Sequence, residues 1–226
     1  MGDDGRVRSD KSAARRQHAA AIAGRWWNDF RDDITPTYLD YVGYEVGAAV
    51  IRQFQGSVVP GLLQTSDYAE ALTAYAVEPL KVASVVRLRL QRQQHLAHRS
   101  SPPQQHFVMD EAVIRRHIGI EQDPAIMPNQ LLHIAELAEH DEHIDVRILP
   151  FSTGAHAGLA GPFTLLEFIG GLPDIVYLDA GRETIAMTPS DPDVAAYADS
   201  FESLLGDAIS AQDSIVFLRN TAEEMS

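Results

Sequence analysis

Along the first hundred residues apolar side chains recur at helical spacing, and beyond about residue 104 they gather into the short alternating runs of strands. In SAARRQHAAAIAGRWWNDFR, residues 12–31, Ala19, Ile22, Trp26 and Phe30 predict a first helix that docks late through Trp26 and Trp27. Pro36 lacks a backbone donor and biases Thr35 away from the helical region, so that helix ends before them. In 38–54, Leu39, Val42, Val46, Ala49 and Val50 share a helical face and predict a second helix, whose last turn is weakened by β-branched residues and glycines. VVPGLLQT, 58–65, reads as a turn, and Ser66 or Asp67 can cap the helix that follows. Glu78 and Pro79 open a long helix to about His98, with an apolar stripe at Val82, Val86, Leu90 and Leu96.

The second half reads differently. HFVMD (106–110) and VRILPF (146–151) predict strands flanking a helix that begins at Pro128, which together make a βαβ unit. PFTLLEFIG (162–170), DIVYLDA (174–180) and ETIAMT (183–188) predict an antiparallel meander, followed by helices over 191–209 and 212–225. The fold class is therefore α+β: a helical N-terminal half packed on a mixed, mainly antiparallel sheet of about five strands, with a C-terminal helix.

Composition narrows the function classes. The 226 residues are 45% hydrophobic, enough for a substantial core, and include no cysteine, which excludes disulfides, thiolate metal sites and thiol nucleophiles. MGDDGRVRSD has no apolar signal core, and no stretch approaches the roughly 18 apolar residues of a membrane helix, so a cytoplasmic protein is expected. Residues 1–27 hold six Arg/Lys against three Asp, a charge of +3, which leaves −17 on the remainder of a chain whose total is −14. So acidic a body repels phosphate backbone. The expected division is a flexible basic arm with the start of the first helix at 1–25, then a single domain over 26–220.

No catalytic motif stands out. GAHAGLAG, 154–161, has neither the P-loop nor the dinucleotide-binding spacing and reads as a loop between strands, in which His156 is a candidate proton donor or ligand. The nine histidines lack metal-ligand spacing, so neither a metal nor a cofactor is expected, and His140-Asp141-Glu142-His143 reads as a solvated helix end. Asp110 and Glu111, at the end of a strand, can be a capping pair or an acid/base pair. Gln64 and Thr65 beside Leu62 and Leu63 need hydrogen-bond partners, for which Arg89, Arg92 and Gln93 on the long helix are the candidates. These groups form either a small-molecule cleft or a structural network.

VVPGLLQTSDYAEAL, RLQRQQHL, FVMDEAVIRRHIG, VRILPFSTGAHAGLAGPFTLLEF and IVYLD, in that order and spacing, resemble the domain of unknown function that follows the helix-turn-helix in Xre-type, WhiJ-like regulators of actinobacteria. The matching positions are Pro60, Gly61, Leu62, Gln64, Thr65, Tyr68, Arg89, Arg92, Gln93, Asp110, Glu111, Gly154, His156, Gly161 and Phe163. The resemblance implies a signal- or partner-binding module that binds a small-molecule effector or a small acidic partner protein. Apart from the resemblance, a homodimer is a further candidate assembly. Residues 1–35 have room for one helix only, so sequence-specific DNA binding by this chain is not expected. The alternative is a cofactor-free cyclase, isomerase or hydrolase using Asp110, Glu111 or His156. A third reading has residues 12–31 dock a partner through Trp26 and Trp27.

Overall fold

Thr35 starts the first regular helix: its hydroxyl accepts the N–H of Tyr38, and Pro36 occupies the first turn, where no donor is required. The computed structural model describes residues 26–170, 172–180, 183–187 and 193–226. Within them α1 spans Pro36–Gly47, α2 Ser66–Ala76, α3 Pro79–Ala97, α4 Glu111–Arg115, α5 Ile126–His140, α6 Asp193–Asp207 and α7 Ala211–Met225. The strands are β1 Val50–Gln55, β2 Gln104–Asp110, β3 Ile144–Leu149, β4 Phe163–Glu167, β5 Ile175–Ala180 and β6 Glu183–Met187.

The protein is α+β, with one mixed sheet in the order β3-β2-β1-β4-β5-β6. β1, β2 and β3 run parallel, and β1, β4, β5 and β6 pair antiparallel in succession. The expected βαβ unit is β2-α5-β3, and the expected meander is β4-β5-β6. The sheet has six strands rather than five because the second helix stops at Gly47 and the chain re-enters as β1. Val50 and Ile51, the β-branched residues that weakened the predicted last helical turn, pair with Gln104 and Gln105 on one side and with Glu167 and Leu166 on the other. This strand joins the parallel half to the antiparallel half.

Only the end of the predicted first helix falls among the described residues, and there it differs. Trp26–Phe30 is a short 3-10 turn, and residues 12–25 lie outside the described residues. Trp27 is buried in the core, and Trp26 stacks on His95 of α3 at 4.3 Å, so the tryptophans close the domain. The inner face of α3 differs as well: Leu88, Arg92 and Leu96 are buried along with Val86, whereas Val82 and Leu90 are only partly covered. One apolar cluster draws on residues from Trp27 to Ala222, and a smaller one, around Phe54, Phe163 and Phe201, lies on the other face of the sheet. No helix among the described residues is long and apolar enough to cross a membrane.

Candidate functional site

Alternation along β1 sends Ile51, Gln53 and Gln55 to one face and Arg52 and Phe54 to the other. Gln53 stands opposite Thr164 of β4, which in turn stands opposite Tyr177 of β5, so a polar row crosses the centre of the sheet. Gln53, Gln55 and Thr164 are buried as residues. They line a cavity of about 130 Å³. A cavity of roughly 150 Å³ suffices to take benzene, so this one matches a single ring or a short chain.

The roof of the cavity comes from α1, from the turn before α2, and from α3. Tyr38 and Tyr41 contribute from α1, Val58, Val59, Gly61 and Gln64 from the turn, and Arg89 and Arg92 from α3. The turn is held by side chains: Gln64 Nε2 donates to Val59 O at 2.7 Å, and Gln93 Nε2 donates to Gly61 O at 3.0 Å and to Gln64 O at 2.8 Å. Arg89 Nη1 donates to Gln64 Oε1 at 2.9 Å and to Thr73 Oγ1 at 3.1 Å. No carboxylate pairs with Arg89 among the described residues, although it lines the cavity and is half-buried.

Arg92 is used differently. Its Nη2 and Nε reach Glu45 Oε1 and Oε2 at 2.6 and 2.8 Å, and its Nη1 donates to Tyr38 Oη at 2.5 Å. The pair is almost wholly buried, with side-chain exposures of 4% for Arg92 and 0% for Glu45. Burial alone would lower the Arg92 pKa, but the Glu45 carboxylate and the Tyr38 hydroxyl outweigh it and hold the guanidinium above its ordinary range. Burial, and next the Glu45 charge, raises the Tyr41 hydroxyl well above its usual value. Tyr177 is raised as well, first by burial and then by Asp40, and its hydroxyl donates to Thr37 O. Tyr41 and Tyr177 therefore stay neutral at physiological pH, around an arginine that stays charged.

The six residues expected to form a cleft separate into two groups. Gln64, Arg89 and Arg92 line the cavity. Thr65, Tyr68 and Gln93 are not among its lining residues and instead brace the turn. Thr65 gives its N–H and hydroxyl to Gln130 Oε1 and caps α2, and Gln130 Nε2 donates to Leu63 O at 2.7 Å. The Tyr68 hydroxyl accepts the N–H of Val59, and burial pushes its pKa up to about 12. Arg92 does not serve Gln64 or Thr65 as expected, because Glu45 claims it. Sequence reasoning missed Glu45, Gln53, Gln55, Gln130 and Thr164. Only the unusual polarity of VIRQFQ, read as a strand, could have pointed to the two glutamines.

The other three candidates lie on the opposite face. Asp110 Oδ1 accepts the N–H of Ala112, the capping role that the sequence offered, while its Oδ2 lies 3.3 Å from His156 Nε2. Glu111 is engaged separately: its Oε2 accepts the N–H of Phe151, and its Oε1 pairs with Arg115 at 3.2 Å. The structure thus joins Asp110 with His156 and leaves Glu111 as a support of the chain leaving β3. His140 is 74% exposed, as a solvated helix end should be, and no cluster of three metal-ligating side chains occurs among the described residues.

A family model described as "Domain of unknown function (DUF5753)" matches residues 38–220. No curated protein and no solved structure matches the chain.

Proposed function

We propose, from the premise that the chain belongs to the DUF5753 family, that it is an effector-sensing module of the kind that follows the helix-turn-helix in Xre-type, WhiJ-like regulators of actinobacteria. The observation that carries this reading is the cavity over the Gln53–Thr164 row. Two amides and a hydroxyl, carried on residues that are largely buried, face one space and offer it donors and acceptors, the polar lining that orients a small guest. Arg89, whose charge meets no carboxylate among the described residues, selects a small anion, and the surrounding tyrosines favour a flat one. An acidic protein partner fits less well, since residues 28–226 together carry a charge of −17.

The test is a thermal-shift screen of single-ring and short-chain carboxylates against the wild type, Arg89→Ala and Gln53→Leu. At a hundredfold excess over Kd a ligand stabilises by about 2.7 kcal/mol, a clear rise in Tm. Both variants are expected to remain folded and to lose that rise. Gln64→Ala is the contrasting variant: it removes the acceptor for Arg89 and a donor to Val59 O, and so lowers Tm with or without ligand. A rise that persists unchanged in Arg89→Ala and Gln53→Leu would place the ligand elsewhere. A salt-resistant, sequence-specific DNA complex of the isolated chain would overturn the sensing-only assignment.

A further inference from the structure

His156 enters from the loop between β3 and β4 and meets Asp110 at the carboxyl end of β2. Its Nε2 stands 3.3 Å from the Asp110 carboxylate, its side chain is 5% exposed, and its Nδ1 is buried with no hydrogen-bond partner. An imidazole has two polar nitrogens, and burial normally requires both to be satisfied. Here one faces a carboxylate, and the other is held ready for a group that the protein does not supply.

The surroundings fix this arrangement. The Phe54 ring meets the imidazole edge-on at 5.9 Å, and Gly158 lies so flat on Phe54 that a Cβ there would fall 2.2 Å from Cζ. Gly154 and Gly161, at φ 73° and 124°, bracket the loop with backbone angles that residues with a side chain rarely adopt. The carboxyl ends of parallel strands, where helices and loops diverge, are where open α/β sheets place ligands.

We propose that His156 and Asp110 form a proton-transfer site for a small hydroxyl-bearing molecule, with His156 Nδ1 as the general base. In the step, Nδ1 takes the proton of an alcohol or of water, the O–H bond breaks, and its electron pair stays on the oxygen, which becomes the nucleophile. That oxygen bonds to the acyl carbon of an ester, the ester C–O bond breaks with its electron pair on the departing oxygen, and the imidazolium, lying against the Asp110 carboxylate, passes its proton to that oxygen. No oxidant or reductant enters the balance. The site is on the other face of the sheet from the cavity and stands independently of the sensing assignment.

The full-length chain is tested with p-nitrophenyl acetate as the probe. Water attacks the acyl carbon while His156 takes its proton, the ester C–O bond breaks, p-nitrophenolate leaves as the anion, and the imidazolium returns its proton to the solvent. The expected result is release above the buffer rate, slower in D2O, with the excess lowered on the order of 10²-fold in His156→Gln and lowered also in Asp110→Asn. His140→Gln, at an exposed histidine, leaves the excess unchanged. No excess in the wild type, or an equal excess in a folded His156→Gln, overturns the proposal. Should His156→Gln fail to fold, wild-type protein is treated with diethyl pyrocarbonate and its modified residues are mapped by mass spectrometry. Loss of turnover in step with His156 modification supports the site, and loss without it, or modification with turnover retained, refutes it.

Discussion

Glu45→Ala is expected to destabilise the protein by about 3–5 kcal/mol, because it leaves Arg92 charged, buried and without its carboxylate. For a chain of this size that is a fall in Tm of roughly 6–20 °C, measurable by calorimetry or denaturant titration. The cost is high because Arg92 cannot shed its charge or move into water. Tyr38 and Tyr41 flank the guanidinium at 5.5 and 5.3 Å, and Glu45 also accepts the Tyr41 hydroxyl at 2.7 Å. Replacing both partners, as Glu45→Leu with Arg92→Met, is expected to recover most of the loss, since a buried ion pair contributes little over an apolar pair of similar volume. The double variant should still bind any cavity ligand poorly, because the pair ties α1 to α3 and so sets the height of the roof. A loss below about 1 kcal/mol in Glu45→Ala would mean that water or another acid reaches Arg92, and the network would not be what holds the two helices together.

That ion pair also marks where sequence reasoning gives out. The helices α2 and α3, the β2-α5-β3 unit and the meander were legible, because each carries its own period, cap or turn residues. The strand β1 was not. Its segment VIRQFQ breaks the alternation that betrays a half-buried strand: Gln53 and Gln55 face the cavity where apolar side chains would sit, and Arg52, on the other face, pairs with Glu167 and Glu202. The residues that disguised the strand are those that make the candidate site. Partners distant in sequence were equally hidden. Glu45 and Arg92 are 47 positions apart, and neither spacing nor periodicity joins them. Asp110 and His156 were each singled out, but their meeting depends on β2 and β3 running parallel, so that the loop after β3 emerges beside the end of β2.

Phe54→Ala should cost about 3–5 kcal/mol, the largest effect expected of any apolar truncation around the His156 loop. The ring is 1% exposed and fills the space between Phe163 and the imidazole. It is also the surface against which Gly158 is fitted, and this yields a sharper expectation. Gly158→Ala alone should cost about 1–3 kcal/mol, because the new methyl would overlap three atoms of the ring, the nearest at 2.2 Å, and a ring packed on both sides has little room to withdraw. Gly158 does not have a positive φ, so backbone strain adds nothing to that cost. In the Phe54→Ala background the obstacle is gone, and the same Gly158→Ala change should be nearly neutral. The double-mutant cycle therefore predicts a coupling about equal to the whole cost of the single glycine change. If Gly158→Ala destabilises both backgrounds equally, the close approach of loop and ring is not what the glycine serves. The loop would then be free to stand away from Phe54, and His156 would lose the enclosure that leaves its Nδ1 buried and unpartnered.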